Sequence, residues 1–257
     1  MSDLPENSPA DSSAKARCWA LIPCAGMGSR MGLDGPKQYQ SLAGKAMVLH
    51  TLAAFAEVSR ISSVLVVVSP GDSFFSSHQA SWRVADCGGT SRAQSVSNGL
   101  EWLLRQGAGG DDWVLVHDAA RCLITPAQIN MLIETCETDP VGGLLAQPVA
   151  DTLKCELDGR VASTLRRSDK WLAQTPQMFR IDLLRRALAH AGPEVTDESS
   201  AVESLGLQPL LVRGSAQNFK LTYPEDFALA QALLEARSTG GDGSGSRPAS
   251  GKKGAMA

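Results

Sequence analysis

The sequence has no long hydrophobic run. Its longest strand-like apolar stretch, residues 64–68, is far shorter than the roughly 20 residues that a membrane-spanning helix needs. The N-terminal segment, residues 1–17, is polar and contains two prolines, so it lacks the apolar core of a signal peptide. We therefore expect a cytoplasmic protein with no membrane partner.

A basic excess is also missing. Lys and Arg together number 24 against 27 Asp and Glu, and the formal net charge is −3. This balance argues against nucleic acid as the main partner, so any phosphate chemistry must depend on local clusters of cations. The six cysteines contain no C-x-x-C pair and no zinc-like spacing, which predicts free thiols.

No repeat with a period of 20–50 residues occurs, which excludes solenoids and propellers. Instead, apolar runs typical of buried strands alternate with helical patterns. Strands are predicted at 18–23, 63–69 and 113–117, and helices at 47–58, 92–106 and 126–137. This order predicts an α/β fold with a mostly parallel sheet in one domain, residues 17–237. The polar or Gly/Ser-rich ends, 1–16 and 238–257, are predicted to be disordered.

Residues 150–172 break the alternation. Two short polar strands flank Asp158 and Gly159, and this dipeptide is a strong signal for a hairpin turn. A polar two-stranded ribbon is not stable alone in water. We therefore expect this β-arm to pack on another element or on a second subunit.

The C-terminal helix has a recognisable start. Thr222 and Glu225 have the spacing of a capping box. Phe227, Ala230 and Leu234 then form one apolar stripe, which predicts an amphipathic helix packed on the core.

A glycine-rich turn follows the first predicted strand. The segment from Pro23 reads PCAGMGSRMG, and GPKQY comes soon after it. Gly26 and Gly28 allow the backbone to approach a ligand and to direct N–H groups at phosphate oxygens, while Arg30 and Lys37 add positive charge. Ligands of open α/β sheets bind at the carboxyl ends of the strands, so this turn is a candidate phosphate site.

Two familiar phosphate loops do not fit this turn. The dinucleotide fingerprint would require a third glycine at Met31, which argues against a nicotinamide-dependent dehydrogenase. The P-loop pattern fails because Gly44 and Lys45 are followed by Ala46. A flexible glycine turn with two solvated cations remains the alternative interpretation of this segment alone.

The wider arrangement of motifs resembles a known family. PCAGMGSRMG, GPKQY, GGTSRAQSV, HDAAR, DTLK, TLRRSDKWLAQTPQ, TDESSAVE and NFKLTYPEDFALA occur in this order between residues 18 and 236. Together they resemble the cytidylyltransferases of the nonmevalonate isoprenoid pathway, which couple CTP to 2-C-methyl-D-erythritol 4-phosphate (MEP). The resemblance implies a three-layer Rossmann-like nucleotidyltransferase fold with a protruding β-hairpin arm.

The implied reaction needs cations rather than a base. A phosphate monoester is already largely dianionic at neutral pH, because its second pKa is about 6. The difficulty is to bring two anions together and to stabilise the charge that develops. The resemblance implies that Arg30 and Lys37 stabilise the transition state, and that Arg167 and Lys220 hold the phosphate of MEP.

The resemblance also implies the remaining contacts. Backbone groups of Cys24, Ala25, Gly26, Gly89 and Ala119 and the side chain of Ser95 would bind the nucleotide, and Asp118, Arg121, Thr152 and Thr175 would surround the sugar-phosphate. A Mg²⁺ ion would be held mainly by the phosphates, with Asp118 as a possible ligand. The β-arm would form a homodimer and reach into the neighbouring subunit's site.

Two other functions remain open at this stage. A cytidylyltransferase for ribitol or another pentitol phosphate would share the loop and the lysines, and would differ around Thr152, Arg167 and Thr175. A non-catalytic nucleotide-binding regulator is the second alternative. The presence of both Arg30 and Lys37 argues against it, since binding alone needs fewer cations.

Overall fold

The computed structural model of the chain describes residues 15–26, 35–78, 81–192 and 195–240. The strands in these ranges are β1 (Cys18–Pro23), β2 (Ser41–Leu42), β3 (Lys45–Ala46), β4 (Ile61–Val67), β5 (Arg83–Ala85), β6 (Trp113–Val116), β7 (Gly142–Pro148), β8 (Leu153–Leu157), β9 (Arg160–Leu165), β10 (Trp171–Arg180) and β11 (Leu210–Arg213). The helices are α1 (Met47–Ala56), α2 (Arg92–Arg105), α3 (Pro126–Cys136), α4 (Ile181–Ala191), α5 (Glu198–Glu203) and α6 (Pro224–Gly240).

Seven strands form one central sheet in the order β11-β7-β10-β6-β1-β4-β5. β1 is parallel to β4 and β6, β4 is parallel to β5, and β11 is parallel to β7. β10 is antiparallel to both of its neighbours, β6 and β7. The prediction of a mostly parallel sheet is therefore confirmed. The antiparallel β10 was not predicted.

Helices cover both faces of this sheet. Alternate residues of β1 point to opposite layers: Ala20 and Ile22 pack with α1 and α3, while Leu21 packs with α2 and α4. Burial on both faces explains why β1, β4 and β6 are nearly continuous apolar runs rather than alternating ones. A Cβ atom added to Gly99 of α2 would lie 2.7 Å from Leu21, so α2 packs very close to the sheet. The predicted three-layer architecture is confirmed.

The helix and strand predictions hold with small shifts at the ends. The strand predicted at 63–69 begins earlier, because Ile61 already pairs with Cys18 of β1. α3 begins as expected with Pro126 in its first turn. Thr125 precedes that proline, and its side chain accepts from the backbone N–H of Gln128 in a reciprocal capping box.

The capping box predicted for the last helix was wrong. Asp226 accepts hydrogen bonds from the backbone N–H groups of Thr222 (2.6 Å) and Tyr223 (2.8 Å), so α6 begins one residue later than the pattern suggested. The hydroxyl of Thr222 donates instead to the carbonyl of Lys220 at 3.1 Å. The predicted apolar stripe of α6 does pack on the core, with Ala230 fully buried.

The predicted disordered ends fall mostly outside the described residues. The described residues overlap these ends at 15–16 and 238–240. Ala16 packs against the core, and α6 continues past Arg237 to Gly240. Among the helices that the structure describes, none combines the length and the apolar character required to cross a lipid bilayer.

The β-arm contains the predicted hairpin. β8 pairs with β9, and the turn between them has positive φ at Asp158 (50°) and Gly159 (73°), the combination that a two-residue turn of type I′ requires. The end of the predicted segment belongs to the central sheet, because Trp171 and Leu172 of β10 pair with residues of β7.

Candidate functional site

The loop after β1 is anchored at the carboxyl ends of β1 and β4. The backbone N–H of Cys24 donates to the carbonyl of Val67 at 2.7 Å. Gln38 Nε2 donates to the carbonyl of Cys24 at 2.7 Å, and Ser69 Oγ donates to that of Ala25 at 2.9 Å. These bonds hold the described part of the glycine-rich turn, which ends at Gly26. The predicted cation Arg30 lies outside the described residues.

A second glycine pair brings another loop against the first. A Cβ on Gly88 would lie 2.3 Å from the Cβ of Ala25, and one on Gly89 would lie 2.1 Å from Gln94 Cγ. A side chain at position 88 would therefore separate the two loops, and one at position 89 would collide with the first turn of α2. Ser95 Oγ accepts from the N–H of Gly89 at 3.0 Å and donates to the carbonyl of Ser91 at 2.9 Å. Ser95 therefore shapes this loop, and its predicted contact with the nucleotide stays a prediction.

The two loops enclose a cavity of 480 Å³, a volume typical of small-molecule sites. Its lining residues are Pro23, Cys24, Ala25, Gly26, Lys37, Gln38, Gly89, Thr90, Ser91, Arg92, Ser95, Asp118, Ala119, Ala120 and Lys220. All six residues predicted to bind the nucleotide are among them. Burial raises the pKa of the Cys24 thiol well above its ordinary value, so this residue presents a neutral thiol rather than a nucleophile. Its backbone N–H and carbonyl are bonded to Val67 and Gln38, and its predicted contact with the nucleotide stays a prediction.

A smaller cavity of 200 Å³ adjoins the first. It is lined by Arg92, Asp118, Arg121, Ala173, Gln174, Thr175, Gln177, Thr196, Asp197 and Lys220. The predicted residues Arg121 and Thr175 lie here. Arg121 donates to the carbonyls of Asn218 (2.8 Å) and Ala173 (3.1 Å), which fixes its guanidinium against β10.

Both predicted lysines line the first cavity. Lys37 Nζ donates to the carbonyl of Leu221 at 2.6 Å, so residues from opposite ends of the chain are in contact. The neighbouring Lys220 forms an ion pair with Asp118, with 2.8 Å between Nζ and Oδ2. The fold therefore brings Lys37, Lys220 and Asp118 to one wall, as the sequence led us to expect.

Arg167 and Thr152 are not brought to this wall within one chain. Both side chains are exposed, at the base of the β-arm, and neither is among the described residues that line the two cavities. Their predicted contacts with substrate stay predictions.

Asp118 is a buried carboxylate held by cations. Burial by itself would raise the pKa of Asp118, but the positive charges of Arg92, Lys220 and Arg121 outweigh it and hold this pKa well below its usual range. Asp118 is therefore ionised at any physiological pH. The described residues contain no group of three or more His, Cys, Asp or Glu side chains that could hold a metal ion. The Mg²⁺ ion held mainly by the phosphates stays a prediction.

Sequence reasoning missed Arg92 and Glu198. Arg92 lies in the GGTSRAQSV motif and Glu198 in TDESSAVE, but neither motif indicates that the two side chains meet. Asp197 caps α5, where its side chain accepts from the backbone N–H of Ser200. Glu198 instead points inward, where its carboxylate receives two hydrogen bonds from Arg92 (2.6 and 3.0 Å).

His117, next to Asp118, has a structural role. Its Nε2 lies 3.2 Å from the carbonyl of Arg121, and its Nδ1 lies 3.1 Å from Thr175 Oγ1. The ring is fully buried, and burial lowers the pKa of His117 to about 3. A neutral, buried imidazole that is hydrogen-bonded on both sides links the loop after β6 to β10 and is unsuited to be a general base.

The buried His117 makes stability depend on pH in a measurable way. The ordinary pKa of histidine is 6.5, so between that value and about 3 the unfolded chain binds a proton that the folded chain does not. Stability present above pH 6.5 is therefore lost as the pH falls, by about 2 kcal/mol between pH 7.5 and pH 5. Urea unfolding at both pH values should show this extra loss in the wild type relative to His117→Asn. Equal losses in the two proteins would contradict a neutral His117.

Comparison with known proteins places these features in a family. A family model described as 2-C-methyl-D-erythritol 4-phosphate cytidylyltransferase matches residues 18–236. A bifunctional enzyme IspD/IspF of Albidiferax ferrireducens is 65% identical over 243 residues, which cover 93% of this chain and 58% of that protein. A 2-C-methyl-D-erythritol 4-phosphate cytidylyltransferase of Paraburkholderia phytofirmans is 53% identical over 229 residues, which cover 85% of this chain and 96% of that protein.

The fold agrees with this match. A crystal structure of 4-diphosphocytidyl-2C-methyl-D-erythritol synthase superposes with a TM-score of 0.78 and 44% identity, covering 86% of this chain and 100% of the other. The segment that the family model matches contains β1, both loops of the larger cavity and the two lysines at its wall. The chain belongs to the 2-C-methyl-D-erythritol 4-phosphate cytidylyltransferase family.

Proposed function

We propose that this chain transfers the CMP group of CTP to 2-C-methyl-D-erythritol 4-phosphate, forming 4-diphosphocytidyl-2-C-methyl-D-erythritol and pyrophosphate. The observation that carries the proposal is the pair of adjoining cavities, the larger bounded by two glycine loops and by Lys37 and Lys220. The larger cavity suits the nucleotide, and the smaller one suits the acceptor. The family match supports the methylerythritol acceptor and does not favour the pentitol phosphate alternative.

The chemistry follows from the charges. An oxygen of the acceptor phosphate attacks the α-phosphorus of CTP, and the bond from that phosphorus to the β-phosphate oxygen breaks, so that pyrophosphate leaves with its electron pair. The attacking oxygen is already deprotonated at neutral pH. The reaction therefore needs no general base, which is compatible with the neutral, buried His117.

Lysine side chains then provide the charge that the reaction requires. Lys37 would stabilise the negative charge that develops on the transferring phosphate and on pyrophosphate, together with Arg30. Lys220 would hold the acceptor phosphate at the wall that the two cavities share. Mg²⁺, when bound with CTP, would neutralise phosphate charge. Asp118, whose two oxygens contact Arg92 and Lys220 in this structure, would be its candidate protein ligand.

The β-arm supports a homodimer in which each arm completes the neighbouring site. Its hydrophobic side chains are exposed in the single chain: Leu157, Val161, Leu165, Trp171 and Leu172. Leu157, Val161 and Leu165 lie on the ribbon of β8 and β9, while Trp171 and Leu172 begin β10. Apolar side chains that are exposed along this arm support a surface covered by another chain. A partner's arm would bring Arg167 and Thr152 to the acceptor cavity. The cytoplasmic location stays a prediction from the sequence.

One assay tests the proposed activity directly. Purified protein, CTP and Mg²⁺ are mixed with methylerythritol phosphate, ribitol phosphate or erythritol phosphate, and pyrophosphate release is measured. Turnover is expected with methylerythritol phosphate, together with a cytidine diphosphate ester detected by mass spectrometry. Turnover with ribitol phosphate alone would contradict the proposal and support a pentitol phosphate cytidylyltransferase. No turnover with any acceptor would favour a nucleotide-binding regulator.

A further inference from the structure

Arg92 joins two carboxylates that come from different parts of the fold. Its Nε donates to Asp118 Oδ1 at 2.8 Å, and its two terminal nitrogens donate to the two oxygens of Glu198 at 2.6 and 3.0 Å. The other oxygen of Asp118 accepts from Lys220 at 2.8 Å. One continuous network of charge-assisted hydrogen bonds therefore runs from Glu198 through Arg92 and Asp118 to Lys220.

This hydrogen-bond network lies on the wall between the two cavities. Arg92, Asp118 and Lys220 are the described residues that line both of them. The exposed fraction of the side chain is 1% for Glu198, 28% for Arg92, 10% for Asp118 and 42% for Lys220, so the network has a buried end at Glu198 and an exposed end at Lys220. Its buried end is anchored in α5 and its exposed end reaches the space where the acceptor phosphate is proposed to bind.

The buried end is rigid for a clear physical reason. A carboxylate that is removed from water is tolerated only when it is paired and hydrogen-bonded, and the bidentate contact with Arg92 meets both needs. Burial alone would lower the pKa of Arg92, but the negative charges of Glu198 and Asp118 outweigh burial and raise this pKa above its ordinary value. The guanidinium therefore stays charged. Two fixed carboxylates determine the orientation of its planar group.

We propose that Arg92 and Glu198 are positioning residues for the transfer reaction: they fix the carboxylate of Asp118, and through it hold the ammonium group of Lys220 at the acceptor cavity. This inference rests on the proposed function. Lysine has a long, flexible side chain, and the fixed Asp118 limits where its charge can lie. Misplacing a reacting or positioning group by about 1 Å can lower a rate by about 100-fold.

Two conservative variants test this. Arg92→Lys keeps the charge but cannot bind both carboxylates, and Glu198→Gln keeps the shape but loses the charge that orients Arg92. Each should lower kcat/KM for the acceptor by about 10–100-fold, while the Kd of CTP, measured by calorimetry, changes less than about threefold. The double variant should be no worse than Arg92→Lys, since Glu198 acts through Arg92.

The chain offers a matched control. Arg185 pairs with Glu101 at 2.7 Å, and neither residue lines the two cavities. Arg185→Lys and Glu101→Gln make the same chemical changes at an exposed ion pair and should leave kcat/KM within about twofold. Urea unfolding of all variants separates loss of position from loss of folding.

A second readout does not require turnover. The rate at which a small acylating reagent modifies Lys220, followed by peptide mass spectrometry with Lys45 as an internal reference, should rise several-fold in Arg92→Lys and Glu198→Gln but not in the control pair. If the wild type shows no turnover while this labelling changes as expected, the proposed function fails, but the inference that Arg92 and Glu198 hold Lys220 in place through Asp118 stands. Folded variants with unchanged Lys220 labelling, or with a loss confined to CTP affinity, would overturn it.

Discussion

Replacing Lys37 with alanine is expected to lower kcat by about 10²–10³-fold, the usual cost of removing one charge contact made to the transition state. Lys37 lies at the wall of the larger cavity, where its Nζ is held 2.6 Å from the carbonyl of Leu221. The Kd of CTP should change much less than kcat, because the charge on the transferring group develops mainly in the transition state. Steady-state kinetics of pyrophosphate release and calorimetry with CTP measure the two quantities separately.

Lys45→Ala is the matched control for this change. Lys45 lies in β3, is exposed, and is not among the described residues that line either cavity. The Lys45→Ala substitution should therefore leave kcat within about twofold of the wild-type value, as is usual for a surface change. An unchanged kcat in Lys37→Ala would remove this residue from the proposed role, and so would an equal loss in both variants.

Arg167→Ala is expected to raise KM for the acceptor strongly, because loss of a charge-assisted contact with a phosphate weakens binding by about 10-fold or more. The affinity for CTP should not change. Arg166→Ala is the control, since Arg166 is the adjacent exposed arginine of the same arm. An effect confined to CTP affinity, or an equal effect of both variants, would contradict the assignment of Arg167.

Mixing the two defective proteins tests where Arg167 acts. If each arm serves the neighbouring subunit, a dimer of one Lys37→Ala chain and one Arg167→Ala chain contains one site with both defects and one intact site. With the acceptor well below its wild-type KM, where the Arg167→Ala defect limits the rate, random mixing should then restore roughly a quarter of the wild-type activity, because half of the dimers are mixed and half of their sites are intact. If Arg167 served its own subunit, every site would carry one defect, and mixing would restore nothing.

Local patterns predicted the parts of the fold that are fixed by nearby residues. β1 and β6 were predicted as buried strands from their continuous apolar runs, which occur because helices cover both faces of the sheet. The turn at Asp158 and Gly159 was predicted because few residue types accept the positive φ that it requires. The start of α6 was misplaced by one residue, because Asp226 competes with Glu225 as the acceptor for the first N–H groups.

Elements and contacts between distant segments were not predictable in this way. β10 inserts antiparallel between β6 and β7, and periodicity within a strand carries no information about its neighbours or its direction. Arg92 and Glu198 are 106 positions apart, and the TDESS segment has the same local pattern whether its second acid faces solvent or the core. Burial of Glu198 depends on how α5 packs against the sheet.

The sequence determined which chemistry is available: a glycine-rich turn with two cations after a buried strand, two further candidate cations that the family resemblance implies, and an arm predicted to pack on another element or on a second subunit. The tertiary structure decided which of these groups meet. Lys37 reaches Leu221, Lys220 reaches Asp118, and Arg92 ties that carboxylate to the core. The reason is that charges act over a few ångströms of space, and strand order, not spacing along the chain, sets which residues come that close.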